Sequence, residues 1–208
     1  MSGRIFHSPV MTSGPPVTAA GFAIVVALVI AVLTLMGACS SSPPVRFYTL
    51  SDTAPEVPPP PGVTLISING VTIPGELNRP ELVRRVGSNQ LDISGLDRWA
   101  APLDETIRRV LSDDLARRVP SPAPGPPHSV MIDIREFYGD AGCNVTLRAA
   151  WTLQQANSKA TPASIEEIHV PSSGACPVML PETMSIALGQ LSDRIIAGVT
   201  RSRAPAAQ

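Results

Sequence analysis

The sequence predicts an α+β fold, with a mainly antiparallel sheet of about six to seven strands and two amphipathic helices packed on one face. Three observations predict it. Short runs of alternating β-formers recur between glycine- and asparagine-bearing turns. Two stretches, one opening near Pro102 and one running from about Pro181 to Val199, repeat their apolar residues at spacings of three and four. Each of these carries one apolar stripe, so each needs cover on one side only, and a sheet supplies it.

The chain opens on Met1 to Gly21, which has no periodic apolar pattern and only Arg4 as a full positive charge. Phe22 to Met36 is uncharged and rich in Val, Ile, Leu and Ala. At about 15 residues it falls short of the roughly 20 a spanning helix wants and suits a signal h-region. Gly37 and Ala38 follow, directly before Cys39, with Met36 standing where leucine is usual. That is the layout of a bacterial lipoprotein signal. In that chemistry the Cys39 thiol is diacylated, the peptide is cut before it, and the new amino terminus is acylated with a chain such as palmitate. At roughly 0.8 kcal/mol per buried methylene, three chains hold a protein at a membrane far more firmly than one. An uncleaved anchor helix and a buried core helix are the alternatives. Ser40, rather than aspartate, follows the cysteine. By the sorting rule of enteric bacteria this points to the outer membrane, with the domain facing the periplasm.

The expected organisation is a signal peptide over 1–38, a lipidated tether over 39–44, one domain over 45–200 and a disordered tail over 201–208. Within the domain, Val45 to Leu50 alternates and reads as a first strand. Ala54 to Gly62 is proline-rich and reads as a stiff connector. Val63 to Ile68 is mostly apolar and β-branched, a strand buried on both faces. Glu81 to Val86 pairs through Gly87-Ser88-Asn89 with Gln90 to Ser94 as a two-faced hairpin with its arginines exposed.

Leu96 to Pro102 opens the clearest helix, whose stripe is Leu103, Ile107, Val110, Leu111 and Leu115. Asp104–Arg108, Glu105–Arg109, Asp113–Arg117 and Asp114–Arg118 place acid before base at i, i+4, which reads as a solvated face. Pro120 to Pro127 carries five prolines and reads as an exposed connector. Val130 to Tyr138, Cys143 to Leu153 and Ser164 to Val170 then form an antiparallel meander. In the middle strand Cys143, Val145, Leu147, Ala149, Trp151 and Leu153 share a face. The final helix buries Met184, Leu188, Leu191, Ile195 and Val199.

The formal net charge is −1, with no basic or acidic tract of the kind that marks a nucleic-acid partner. With Cys39 lipidated, Cys143 and Cys176 remain as a candidate disulfide pair worth roughly 3–4 kcal/mol, two free thiols being the alternative. Scattered histidines beside two cysteines lack zinc-ligand spacing, so no metal and no cofactor is expected. His128 sits among prolines, and His169 on a strand reads as a surface or interface side chain. Asp133, Glu136 and Asp140 are scattered carboxylates, and no catalytic motif surrounds any of these residues. The chain therefore reads as no enzyme.

Two stretches carry a resemblance. Leu77-Asn78-Arg79-Pro80-Glu81-Leu82-Val83-Arg84-Arg85 is followed, after Asn89-Gln90-Leu91, by Arg98-Trp99-Ala100-Ala101-Pro102-Leu103. Together they resemble the PqiC-like family of ABC-type transport auxiliary lipoproteins, whose pattern runs approximately L-D-R-P-Q-I-V-x-R, a hairpin turn, then R-W-A-E-P-L. Phe47-Tyr48-Thr49-Leu50 and Leu147-Arg148-Ala149-Ala150-Trp151 are also similar, so the likeness spans about Arg46 to Val199. Asn78, Glu81 and Ala101 depart from the pattern, and Ala101 removes a carboxylate from the helix start.

The resemblance implies a non-catalytic lipoprotein that works with an MCE-domain protein and an inner-membrane permease in moving lipid between membranes, with a homo-oligomer allowed. The candidate contact surface is Arg79, Arg84, Arg85 and Trp99, because arginine and tryptophan dominate interface hot spots. A purely structural role for Arg79 and Trp99, pinning hairpin to helix, is the alternative. A structural or assembly lipoprotein that stabilises an outer-membrane component, without moving lipid, is the second functional reading.

Overall fold

The computed structural model describes residues 19–36, 42–53, 55, 58, 61–155 and 160–203. The chain divides into two units, Met1–Pro43 and Pro44–Gln208. In the first, α1 (Ala19–Met36) is an 18-residue helix without a charge. It rises about 27 Å at 1.5 Å per residue. Among the described residues, no helix is long and apolar enough to cross a membrane. Cys39, the expected lipidation site, lies outside the described residues, as do Ser40 and Ser41 of the expected tether.

The second unit is built on one seven-stranded sheet. Its strands are β1 (Arg46–Tyr48), β2 (Thr64–Thr72), β3 (Glu81–Gly87), β4 (Gln90–Trp99), β5 (Ala123–Gly139), β6 (Val145–Gln155) and β7 (Ser164–Val170). Its helices are α2 (Leu103–Arg118) and α3 (Leu180–Arg203). The order across the sheet is β1-β4-β3-β5-β6-β7, with β2 on β5 as well. β5 makes this possible. It is 17 residues long, so β2 takes its edge from Ala123 to Asp133 and β3 meets the same edge at Gly139.

The α+β class holds, but the sheet is mixed rather than mainly antiparallel. β3–β4, β5–β6 and β6–β7 are antiparallel, as strands joined by short turns must be. β1–β4, β2–β5 and β3–β5 are parallel. β1 and β2 are each followed by a long connection, and the crossover through α2 returns the chain to β5 in the direction of β2.

Both helices pack on the sheet and on each other. The stripe of α2 (Leu103, Ile107, Val110, Leu111, Leu115) and that of α3 (Met184, Leu188, Leu191, Ile195, Val199) are buried. They meet Val130, Ile132, Ile134 and Phe137 of β5 and the alternate residues Val145 to Leu153 of β6 in one core. A Cβ at Gly198 would collide with the Trp151 ring, so glycine is what lets α3 lie this close to β6.

Five elements differ from expectation. β2 buries one face rather than both, with Thr64 and Ile66 inside and Leu65 exposed. Leu96 to Trp99 belongs to β4, not to the helix. Its residues pair with β1 at Arg46↔Asp97, Phe47↔Arg98 and Tyr48↔Trp99. β5 begins at Ala123 and takes in Pro124, Pro126 and Pro127. Strand β6 joins only at His128, and the β2 ladder skips from Thr64↔Ala123 to Ile66↔His128, so no register pair falls on these prolines and no donor is required of them. His128 is accordingly buried rather than exposed in a connector. Asp114 and Arg118 are buried, not on a solvated face. Arg118 Nη1 lies 3.0 Å from Asp114 Oδ1, and its Nε lies 2.7 Å from Asp193 Oδ1 on α3. Finally, α3 continues to Arg203, three residues into the expected tail.

Candidate partner-binding groove

The turn Pro74 to Arg79 closes on itself, with Leu77 N donating to Pro74 O at 2.9 Å and Asn78 N to Gly75 O at 3.2 Å. Leu77 is buried beneath it. The next residue fixes the turn to the end of β4, because Trp99 N donates to Pro80 O at 2.7 Å. Ala100 N then donates to Tyr48 O at 2.8 Å. These two bonds satisfy backbone donors that would otherwise begin a helix early, and α2 starts at Leu103. Pro102, its N-cap, provides no side-chain cap, while Asp104 and Glu105 complement the helix dipole from the first turn.

The result is a groove of about 330 Å³ lined by Asn78, Arg79, Pro80 and the run Trp99 to Leu103. The two motifs, some twenty residues apart in sequence, form its opposite walls. Trp99 is only 6% exposed and acts as a wall rather than a knob. Arg79, with a side chain 37% exposed, donates to Glu81 Oε2 at 2.9 Å. That bond holds the Glu81 carboxyl below the usual range. From Ala101 a second depression of about 360 Å³ continues along α2 past Glu105, Arg108, Arg109 and Asp113. An apolar half thus leads into a charged half.

Of the four candidate contact residues, the structure brings Arg79 and Trp99 together at the groove and sends Arg84 and Arg85 elsewhere. Arg84 pairs with Asp92 across the hairpin, and its Nη1 lies 3.3 Å from Cys176 Sγ. The Arg85 guanidinium sits 4.5 Å from the Tyr138 ring centroid and 3.8 Å from Glu136. Tyr138 is buried and donates to Glu76 Oε1 at 2.7 Å. Burial first, and that bond second, push its hydroxyl up to about 12. The Tyr138 bond in turn holds Glu76 below its ordinary value.

Cys143 and Cys176 are joined, with Cα atoms 5.5 Å apart. The bridge ties the β5–β6 turn to the segment leading into α3. The scattered carboxylates do not converge. Asp133 accepts from Thr72, Glu136 lies between Arg85 and Arg148, and Asp140 accepts the backbone amides of its own turn. His169 is exposed, between Thr146 and Glu167.

Two features escaped the sequence reading. The motif residues Asn78, Pro80 and Ala100 to Leu103 line the groove, and their signal was the motif itself. The Asp114–Arg118–Asp193 cluster was also legible in principle. Asp114 stands four residues after Val110 and Arg118 three after Leu115, in phase with the buried stripe. Arg118 also donates to Thr53 O at 3.1 Å, fixing the segment after β1. Burial raises Asp114 above the usual carboxylate range despite the Thr53 amide and Arg118.

The fold is of α+β class, and its groove lies where the end of β4 passes into α2. A family profile described as ABC-type transport auxiliary lipoprotein component matches residues 48–196. The chain belongs to that family. Two solved structures share its fold. One is a crystal structure of an uncharacterized protein, 17% identical, with a TM-score of 0.62, covering 76% of this chain and 99% of its own. The other is a Xanthomonas campestris protein of the DUF330 family, 15% identical with a TM-score of 0.61, over 76% and 99% of the two chains. No curated protein matches the chain.

Proposed function

We propose that the chain is a non-catalytic, lipid-anchored subunit that docks an MCE-type lipid transport complex at the outer membrane. Family membership supports the transport association. The observation that carries the docking role is the convergence of both motifs on one groove, with Trp99 as its wall and Arg79 at its rim. Nothing in this reading asks the domain to make or break a bond. It holds the partner assembly at the membrane that holds Cys39, and the permease in the opposite membrane supplies the energy.

Ala101 is exposed and lines both depressions, so Ala101→Arg fills the groove without touching the core. Full-length lipoprotein is expected to co-purify with an MCE-domain protein. The variant should keep its melting temperature and lose about tenfold of that recovery, as loss of an interface hot spot would. Recovery of a β-barrel protein instead, unaffected by the variant, would favour the assembly role and sink the docking one.

A further inference from the structure

Phe47 stands apart from the other aromatic side chains of its unit. Trp99, Phe137, Tyr138 and Trp151 are buried and Tyr48 is half-buried, whereas Phe47 is 65% exposed. Val45, two residues earlier, is 41% exposed. β1 is three residues long and ends the sheet order, so strand pairing covers Phe47 on the β4 side only.

The surroundings are cationic. Register places Phe47 beside Arg98, Arg98 beside Glu81, and Arg46 beside Asp97. Arg46 pairs with Asp97 at 2.7 Å and Arg79 with Glu81 at 2.9 Å. Alternation puts Arg46 and Asp97 on the opposite face from Phe47, which leaves Arg98 and Arg79 against the single carboxylate of Glu81. The chain adds a constraint of its own. Six residues carry it from Cys39 to Val45, and fully extended they span at most about 22 Å. Whatever surface holds Cys39 is within reach of β1.

We propose that Val45 and Phe47 enter the headgroup boundary of an anionic phospholipid bilayer, with Arg98 at the phosphates. The inference rests on Cys39 as the lipid anchor for its place in the cell. The surface itself needs no acyl chain. One aromatic and one valine give only weak binding alone, so the contact orients an already tethered domain rather than anchoring it. It also fixes the groove. Arg98 and Trp99 are consecutive on β4 and face opposite sides of the sheet, so the face carrying Phe47 and Arg98 meets lipid while the Trp99 face stays open to a partner.

The test uses the unacylated chain from Ser40 onward, which contains the whole second unit with its own core. Vesicles of phosphatidylglycerol and phosphatidylethanolamine are floated beside vesicles of phosphatidylcholine alone. The chain is expected to float with the anionic vesicles, less so at high salt. Phe47→Ser should lower the partition about tenfold with an unchanged melting temperature. In Phe47→Trp, brominated lipid should quench emission that it leaves untouched in the parent. Absence of flotation, or flotation insensitive to Phe47→Ser, overturns the proposal. So does a parent chain that is dimeric in solution and becomes monomeric on that substitution, since a second copy would then cover Phe47. Acylation is read separately, by intact mass of the full-length protein. A Cys39 found unacylated overturns the anchor and leaves the vesicle result standing.

Discussion

The two sides of the sheet are held in different ways. Strands β5, β6 and β7 share long ladders, with β5 and β6 paired from His128↔Gln155 to Gly139↔Val145 across one register shift after Ile134, and with α3 packed behind them and α2 beside it on β2. Strands β1, β4 and β3 form a wing that joins β5 at one register pair, Arg84↔Gly139. Side chains complete that seam: Arg85 over Tyr138, Tyr138 to Glu76, and Arg84 against Cys176. Burial dominates in the main sheet, whereas the wing adds directed polar contacts to a smaller buried set, Leu82, Val83 and Trp99. Only the second kind leaves a groove and an exposed strand available for other molecules, because a fully packed face has nothing left to offer.

The largest effect follows from the first half of that contrast. Phe137, fully buried on β5, is expected to cost about 3–5 kcal/mol as Phe137→Ala, seen as a loss of the whole unfolding transition. Ile93→Ala on β4, where the side chain is 44% exposed, should cost about 1 kcal/mol. Chemical denaturation of both variants checks this. Similar losses would mean that the wing is as tightly integrated as the core.

The same contrast governs what the sequence discloses. Helix α2, helix α3 and strand β6 are legible because burial on one face forces a period of 3.6 or 2 on the residues themselves. The parallel placement of β1 and β2 is not, because a long connection does not say in which direction its strand returns. Leu96 to Trp99 reads as a helix start from Pro102 onward. It becomes a strand because Tyr48 and Pro80, far away in sequence, take the amides of Ala100 and Trp99. The site is legible in part. Arg79 and Trp99 meet because their motifs meet. Arg84 and Arg85, consecutive on a strand, point to opposite faces and so cannot serve one surface, which the alternation of β3 already contained. Asp114 and Arg118 were hidden by their charge, although their phase on α2 placed them inside.

Acid separates the two regions further. Glu76 and Glu81 sit below the ordinary carboxylate range through the Tyr138 and Arg79 bonds. Burial pushes Asp97 up, but Arg46 and Ser94 more than offset it, and it too sits below. A carboxylate lowered in the folded state contributes stability above its unfolded value near about 4, and that contribution is lost as pH falls through the folded value. All three lie on the wing or on the turn beside it, while Asp140, held low chiefly by the Asn144 side chain, is the lowered carboxylate of the β5–β6 turn. Asp114 runs the other way. Its raised value means that its ionisation costs stability at neutral pH, a cost relieved as pH falls. Amide exchange at pH 7 and near pH 4, corrected for intrinsic rates, should show protection falling first in β4 while β6 is retained. Loss in β6 first would reverse the assignment of polar contacts to the wing.

The smallest effect tests the seam itself. Arg85→Leu removes the guanidinium from the Tyr138 ring and from Glu136. An exposed cation–π contact contributes about 0.5–1 kcal/mol and a partly exposed pair about 0.2–1. Glu136 keeps a second cation, Arg148, 3.6 Å away, so no carboxylate is left isolated. The expected cost is therefore about 1 kcal/mol. Where that cost appears decides more than its size. If the seam is the weak joint, the amides of β3 and β4 lose protection while those of β5 and β6 keep theirs, and the wing opens as a unit on a closed main sheet. If all strands lose protection together, Leu82, Val83 and Trp99, buried in the common core, bind wing and sheet into a single cooperative body. A partner would then meet a groove whose walls do not move apart.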